Sequence, residues 1–136
     1  MSIVDAEAPP WRLFSVSVRR IRRLSPTFLR VTFTGDDLDR FADNGFDVRV
    51  KLVLPAPECG FDKLPTGDDW FSRLRALPAP QQCPIRTYTV RAVRHADREV
   101  DVDIVMHPDG PSGSGPVARW ARRTEIGDEI VLMGPN

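Results

Sequence analysis

Hydrophobic residues recur at every second position along much of the chain. Phe14, Val16 and Val18 alternate with Ser15 and Ser17, the period of a strand with one buried face. This strand extends towards Leu24 and is followed by a turn at Ser25-Pro26. Leu29, Val31 and Phe33 then alternate with Arg30, Thr32 and Thr34 up to Gly35-Asp36-Asp37. Together the two runs predict an antiparallel hairpin. Asp36–Gly45 is polar apart from Leu38, Phe41 and Ala42, and predicts a short helical turn. A third strand is predicted over Val48–Leu54, with Val48, Val50, Leu52 and Leu54 on one face and Arg49, Lys51 and Val53 on the other. Pro55-Ala56-Pro57 ends it.

Glu58–Thr66 predicts a loop. Asp68–Leu77 predicts a short helix, with Trp70, Leu74 and Leu77 at helical spacing. Pro78–Pro84 predicts an extended linker. Two further strands are predicted over Ile85–His95 and Glu99–His107, the second alternating Val100, Val102, Ile104 and Met106 against Asp101, Asp103, Val105 and His107. A glycine-rich loop, Pro108–Pro116, precedes a helix over Val117–Arg123. Pro116 suits the first helical position, where its missing N–H costs nothing. Ile126-Gly127-Asp128 turns the chain into a last strand, Glu129–Met133. Met1–Pro10 is expected to be a flexible N-terminal arm, and residues 11–136 one domain. Six strands, a helix after a glycine-rich loop and a short extra helix predict a mainly β fold, an antiparallel Greek-key barrel.

Composition narrows the function classes. Lys+Arg and Asp+Glu both number 19, which argues against a general polyanion or nucleic-acid binder. The cations are nonetheless clustered, at Arg19, Arg20, Arg22 and Arg23 and again at Arg119, Arg122 and Arg123. The first cluster is expected to coat the solvated side of the hairpin. Cys59 and Cys83 are the only cysteines, and they form neither a zinc pattern nor a C-x-x-C pair. Two free thiols, no signal-peptide pattern and no run of about 18 apolar residues predict a cytoplasmic protein that does not span a membrane.

The stretch richest in chemistry is Pro84-Ile85-Arg86-Thr87-Tyr88-Thr89-Val90-Arg91. Tyrosine offers a ring face and a hydroxyl. Arginine offers a planar fork of donors suited to phosphate. The combination fits a flat ring joined to phosphate, or else an ordinary strand with solvated arginines. The glycine-rich loop opening a helix is a second anion-site pattern, because free N–H groups and the positive end of the dipole point outwards there. It lacks the Gly-Lys-Ser/Thr ending of a Walker loop, and it does not follow a strand of a parallel βαβ unit, as a Rossmann fingerprint would.

Three motifs in order resemble the FAD-binding barrel of the siderophore-interacting proteins, NAD(P)H-dependent ferric-siderophore reductases within the ferredoxin-reductase-like superfamily. Arg86-Thr87-Tyr88-Thr89-Val90-Arg91 matches the family's R-x-Y-T-x-R. Asp103-Ile104-Val105-Met106-His107 resembles its D-[FI]-V-[LM]-H strand. Gly115-Pro116-Val117-Ala118-Arg119-Trp120-Ala121 resembles its G-P-A-S-x-W-A helix start. Gly127-Asp128 and Gly134-Pro135 fall where the family has G-D and G-P.

The resemblance implies that Arg86 binds the FAD pyrophosphate, that Tyr88 stacks on the isoalloxazine and that Thr89 hydrogen-bonds near flavin N5. It implies backbone contacts from Val105, Met106 and His107, and a turn over Gly115, Pro116, Val117 and Ala118 whose N–H groups (Pro116 has none) face the pyrophosphate, with Trp120 packed beneath. Lys51 and Arg91 are implied to attract an anionic ferric siderophore, the expected substrate. The family commonly has Ser or Thr where Ala118 stands. Losing one charge-assisted bond costs roughly 1.5–3 kcal/mol at most, so FAD binding is expected to be weakened and not abolished, with Ser112 or Ser114 compensating. The resemblance also implies a nucleotide-binding domain beyond the Gly-Pro. Without it, this chain is expected to bind FAD but to turn over NAD(P)H poorly or not at all. Neither His95 nor His107 is expected to act as a catalytic acid or base. Two rivals stay open: a flavin domain serving another acceptor (ferredoxin, quinone or free flavin), and a barrel module that binds a partner without catalysis.

Overall fold

The computed structural model describes residues 11–42, 48–67, 69–106 and 115–135. The N-terminal arm, His107, Ser112 and Ser114 lie outside them. Six strands, β1 (Trp11–Ser25), β2 (Phe28–Thr34), β3 (Arg49–Val53), β4 (Ile85–Arg94), β5 (Glu99–Val105) and β6 (Glu129–Pro135), close into one barrel. Their order is β1-β2-β5-β4-β3-β6, with β6 returning to β1. Every pair is antiparallel. The fold is the mainly β, six-stranded Greek-key barrel that the alternating pattern predicts.

Period-2 alternation builds the core directly. Opposed residues share a face. Phe14 faces Leu132 and Val16 faces Ile130 across β1 and β6. Leu29, Val31 and Phe33 face Ile104, Val102 and Val100 across β2 and β5. All ten are buried, and each such side chain contributes about 1.5–3 kcal/mol through removal from water. A register shift between Val18 and Arg20 makes Arg19 an extra residue. That shift lets Val18 and Ile21, which are out of phase with each other, both pack towards the core.

Among the described residues, two α-helices accompany the barrel. α1 (Trp70–Arg75) belongs to the long connection between β3 and β4. This connection covers the outer face of the barrel and builds a second apolar cluster from Val53, Ala56, Cys83 and Met133. The connection therefore supplies a reason for Val53 to be fully buried on the face opposite to Val50 and Leu52. Within it, Ala79–Gln81 forms a 3-10 turn where the prolines predicted an extended linker. Pro78 sets the turn's entry and Gln81 N–H donates to Pro78 O. A second 3-10 turn, Leu38–Arg40, lies in the predicted Asp36–Gly45 stretch. α2 (Pro116–Arg123) packs on the core through Val117, Trp120 and Ala121.

Candidate flavin site

Before its bulge, β4 sends alternate residues to opposite faces. Arg86 opposes buried Leu52 and Tyr88 opposes buried Val50, whereas Thr87 and Thr89 oppose Lys51 and Arg49 on the other face. Arg86 and Tyr88 are thus one pleat apart on a common face, about 7 Å along the strand. Tyr88 is half-buried against the core. Burial pushes its phenol pKa up, and the Arg86 cation partly opposes that shift.

Arg86 is exposed, and its Nη1 donates to the carbonyl of Ile85 at 2.8 Å. It has no carboxylate partner among the described residues. It lines an open cleft of about 610 Å³ together with Arg75, Arg119, Pro116, Phe71 and Leu74. Among the described residues, three arginines and no acid border this space. The α2 end of the cleft carries its own donors. Gly115 is the residue before the helix, and it gives no side-chain cap. The N–H of Arg119 donates to Gly115 O at 3.0 Å, so the N–H groups of Val117 and Ala118 precede the first intrahelical bond. No acidic residue stands in the first turn to take them. A Cβ built on Gly115 would meet nothing within 4 Å, so the approach to this turn is open.

The remaining predicted residues fall as follows. Val117 is buried and Ala118 half-buried. Trp120 is buried beneath the turn, stacked on Phe33. Val105 ends β5, exposed opposite Phe28, and the N–H of buried Met106 donates to Thr27 O at 2.7 Å. Thr89 is exposed on the face away from Arg86. Lys51 also lies on that second face, its Nζ donating to Thr87 Oγ1 at 3.0 Å. Arg91 is the extra residue of a β-bulge between Val90 and Ala92, and it is exposed. The fold therefore gathers Arg86 with the α2 N-terminus, and it sets Lys51 and Arg91 outside the lining of that cleft. Arg119 was noted from the sequence only as part of a cation cluster, and Arg75 was not singled out. Only their exposure beside Arg86 identifies them, and contacts between distant segments leave no local pattern.

The bulge has a second effect. After Arg91 the alternation is reset, and Arg94 reaches the outer face beside Glu99 and Asp101. Arg94 forms a fork onto Asp101, with Nη2 donating to Oδ1 at 2.7 Å and Nη1 to Oδ2 at 3.0 Å, while Nε donates to Glu99. Arg20 and Arg19 also hold Glu99, at 2.7 and 3.1 Å. The arginines of the first cluster are thus divided: two bind a buried carboxylate, and Arg22 and Arg23 stay exposed. The hydrogen bond from Arg20, assisted by Arg94, holds the Glu99 carboxyl below its usual range against the opposing effect of burial. For Asp101, burial is the largest influence and acts upwards, but hydrogen bonds from Arg94 and Thr32 outweigh it and the carboxyl is lowered.

Comparison with known proteins places this architecture. The family model for the siderophore-interacting FAD-binding domain matches residues 17–136. The chain belongs to that family. It is 34% identical over 121 residues to the ferric vibriobactin reductase ViuB of Vibrio cholerae, covering 85% of this chain and 40% of that protein. It is 31% identical over 126 residues to an NADPH-dependent ferric-chelate reductase of Escherichia coli, covering 91% and 45%. Among solved structures, the siderophore-interacting protein SipS of Aeromonas hydrophila superposes with a TM-score of 0.69 at 27% identity, covering 94% of this chain and 44% of that one. Ferredoxin reductases at lower identity share the fold. The chain spans less than half the length of these relatives.

The residues present fit the cofactor that the family name implies. A dinucleotide flavin needs cationic or N–H donors for its pyrophosphate and a flat surface for its ring. Among the described residues, the cleft is lined by three arginines and no carboxylate, and the first turn of α2, which reaches it through Pro116 and Arg119, carries two N–H groups that precede the first intrahelical bond. Tyr88 supplies a half-buried ring on the same strand face as Arg86.

Proposed function

We propose that this domain seats FAD with its pyrophosphate between Arg86 and the first turn of α2 and with its isoalloxazine on Tyr88. Thr89, Val105, Met106, His107, Gly115, Pro116 and Val117 complete the cofactor contacts in this reading. Bound flavin supplies two-electron acceptance from a nicotinamide and single-electron delivery to a metal. The protein's own part is placement and electrostatics. Arg86 balances phosphate charge, the α2 N–H groups fix the phosphate oxygens, and Trp120 holds the turn that carries them. Tyr88 covers one face of the ring and excludes water from it.

The acceptor in this reading is iron(III) held in a siderophore, released as iron(II) because hard anionic oxygens hold the reduced ion less tightly. The NAD(P)H that feeds the flavin binds in another domain of the whole protein, which acts in the cytoplasm in iron acquisition. The relatives' names, a ferric vibriobactin reductase and an NADPH-dependent ferric-chelate reductase, support the choice. The single observation that carries the flavin assignment is the cleft shared by Arg86 and the N-terminal turn of α2, lined among the described residues by three arginines and no acid. Reconstituting the full-length protein with FAD and NAD(P)H, and comparing ferric siderophores with ferredoxin, quinone and free flavin as acceptors, tests the substrate class. Preferential turnover of a ferric siderophore supports it; preference for another acceptor overturns it.

A further inference from the structure

The two cysteines lie in segments that fold against each other beside the flavin cleft. Ala56 and Gly60 exchange both backbone hydrogen bonds at 2.9 Å, closing a tight turn that carries Cys59. Gly60 takes a φ of 62°, a left-handed conformation that glycine adopts without strain. The segment Ala79–Cys83 lies across this turn. Glu58 N–H donates to Pro80 O at 3.0 Å, and Gln81 Nε2 donates to Glu58 Oε1 at 3.1 Å. The thiols complete a reciprocal pattern. Cys83 Sγ donates to Gly60 O at 3.4 Å, and Cys59 Sγ reaches towards Gln81 O at 3.9 Å. Cys83 therefore points at the backbone next to Cys59, and Cys59 at the backbone two residues before Cys83. Cys59 is half-buried and Cys83 buried, and both belong to the apolar cluster outside the barrel.

From this crossed arrangement we infer that Cys59 and Cys83 form a reversible disulfide under oxidation by a peroxide, clamping the floor of the cleft. Disulfide formation needs the two Cα atoms within about 7 Å and side chains directed towards each other; the four crossing hydrogen bonds hold the two segments in contact, and in this proposal a rotation of the two side chains from their carbonyl partners joins the sulfurs. The chemistry divides between the two thiols. Cys59, the more accessible sulfur, attacks the peroxide, gives up two electrons and becomes a sulfenic acid, and the peroxide leaves as alcohol or water. The sulfur of Cys83 then attacks the sulfenic sulfur, an S–S bond forms, and the hydroxyl leaves as water with the Cys83 proton. Burial keeps the Cys83 thiol protonated, which protects it from direct oxidation.

The consequence reaches the cleft because Cys83 and Gln82 line it with Arg86. Arg86 follows Cys83 by only two intervening residues, Pro84 and Ile85. A cross-link to the Ala56–Gly60 turn fixes the strand entry from which Arg86 projects. This proposal concerns the thiols and stands apart from the flavin assignment.

The test treats the intact 136-residue chain with hydrogen peroxide, blocks remaining thiols with N-ethylmaleimide and maps peptides without reduction. The expected product is an intramolecular Cys59–Cys83 link that dithiothreitol reverses and that Cys59→Ser abolishes. Hydrogen exchange at residues 78–86 is expected to slow on oxidation and recover on reduction. Because Cys59 is only half-buried, its serine variant tests the link without emptying the apolar cluster. Accumulation of Cys59 sulfinic acid with Cys83 still alkylated after unfolding would overturn the proposal, as would links formed only between chains. Flavin enters neither readout, so failure of FAD binding leaves this test intact.

Discussion

The indole of Trp120 lies over the ring of Phe33, with centroids 6.1 Å apart and planes inclined by 19°. Phe33 is fully buried on β2 and Trp120 is the central buried residue of α2. This pair ties the helix to the barrel, and with it the turn that presents the N–H groups of Val117 and Ala118. In the proposed reading, structural and cofactor roles therefore meet in one contact.

Trp120→Ala removes that tie. Truncating a buried aromatic costs about 3–5 kcal/mol, so a marked drop in unfolding midpoint is expected by urea titration. Trp120→Phe retains most of the contact and is expected to recover more than half of the loss. FAD affinity is expected to fall with the alanine variant under conditions where it remains folded.

Arg86→Ala separates binding from stability. Arg86 is exposed and bonds only to the neighbouring Ile85 carbonyl, so stability is expected to change by less than about 0.5 kcal/mol. Hydrogen bonds to charged groups are worth about 1.5–3 kcal/mol, which corresponds to FAD binding weaker by roughly 10- to 150-fold. Fluorescence titration measures the affinity, and a denaturant curve on the same sample checks the fold.

Ala118→Ser restores the hydroxyl common in the family at the helix N-terminus. The position is half-buried and follows Pro116 and Val117 in the first turn. An added neutral-to-charged bond predicts FAD binding tighter by up to about 10-fold, with about 1.5 kcal/mol as the corresponding gain. Calorimetric titration of both proteins reads the difference.

The Arg94 cluster predicts acid sensitivity. Glu99 and Asp101 have folded-state pKa values below their ordinary ones. A depressed carboxylate pKa contributes stability that is fully present above the unfolded value, near pH 4–4.5 by about a unit's margin, and is lost as pH falls through the folded value. Stability is therefore expected to be level from neutral pH to about pH 5 and to decline below it. Arg94→Ala is expected to reduce stability at neutral pH by about 1–3 kcal/mol, because Asp101 then keeps only Thr32 among its two side-chain partners. The acid-sensitive decline is expected to shrink in that variant. Urea unfolding at a series of pH values tests both expectations.

Most of the barrel was legible because strand alternation is local. Phe14 to Val18, Leu29 to Phe33 and Val100 to Ile104 each declare their inward face within five residues. Strand order was less accessible, since β2 beside β5 and β3 beside β6 depend on contacts far apart in sequence. The bulge at Arg91 was hidden for a related reason: an extra residue shows only against its partner strand. Asp101 falls on the polar side of the β5 alternation, yet it and Glu99 are buried and arginines from β1 and β4 cover them. At the cleft, Arg86 stood out from motif chemistry; Tyr88, from the same motif, packs against the barrel core and is not in the cleft lining. Arg75 and Arg119 did not stand out as cleft residues, because only folding brings α1 and α2 to the same opening.

FAD titration of the 136-residue chain, followed by visible absorbance after removal of free flavin, tests the central claim most directly. A yellow protein retaining close to one flavin per chain, with Arg86→Ala retaining much less, is the predicted result. A folded, colourless chain that takes up no FAD, with Arg86→Ala indistinguishable from it, would contradict the account.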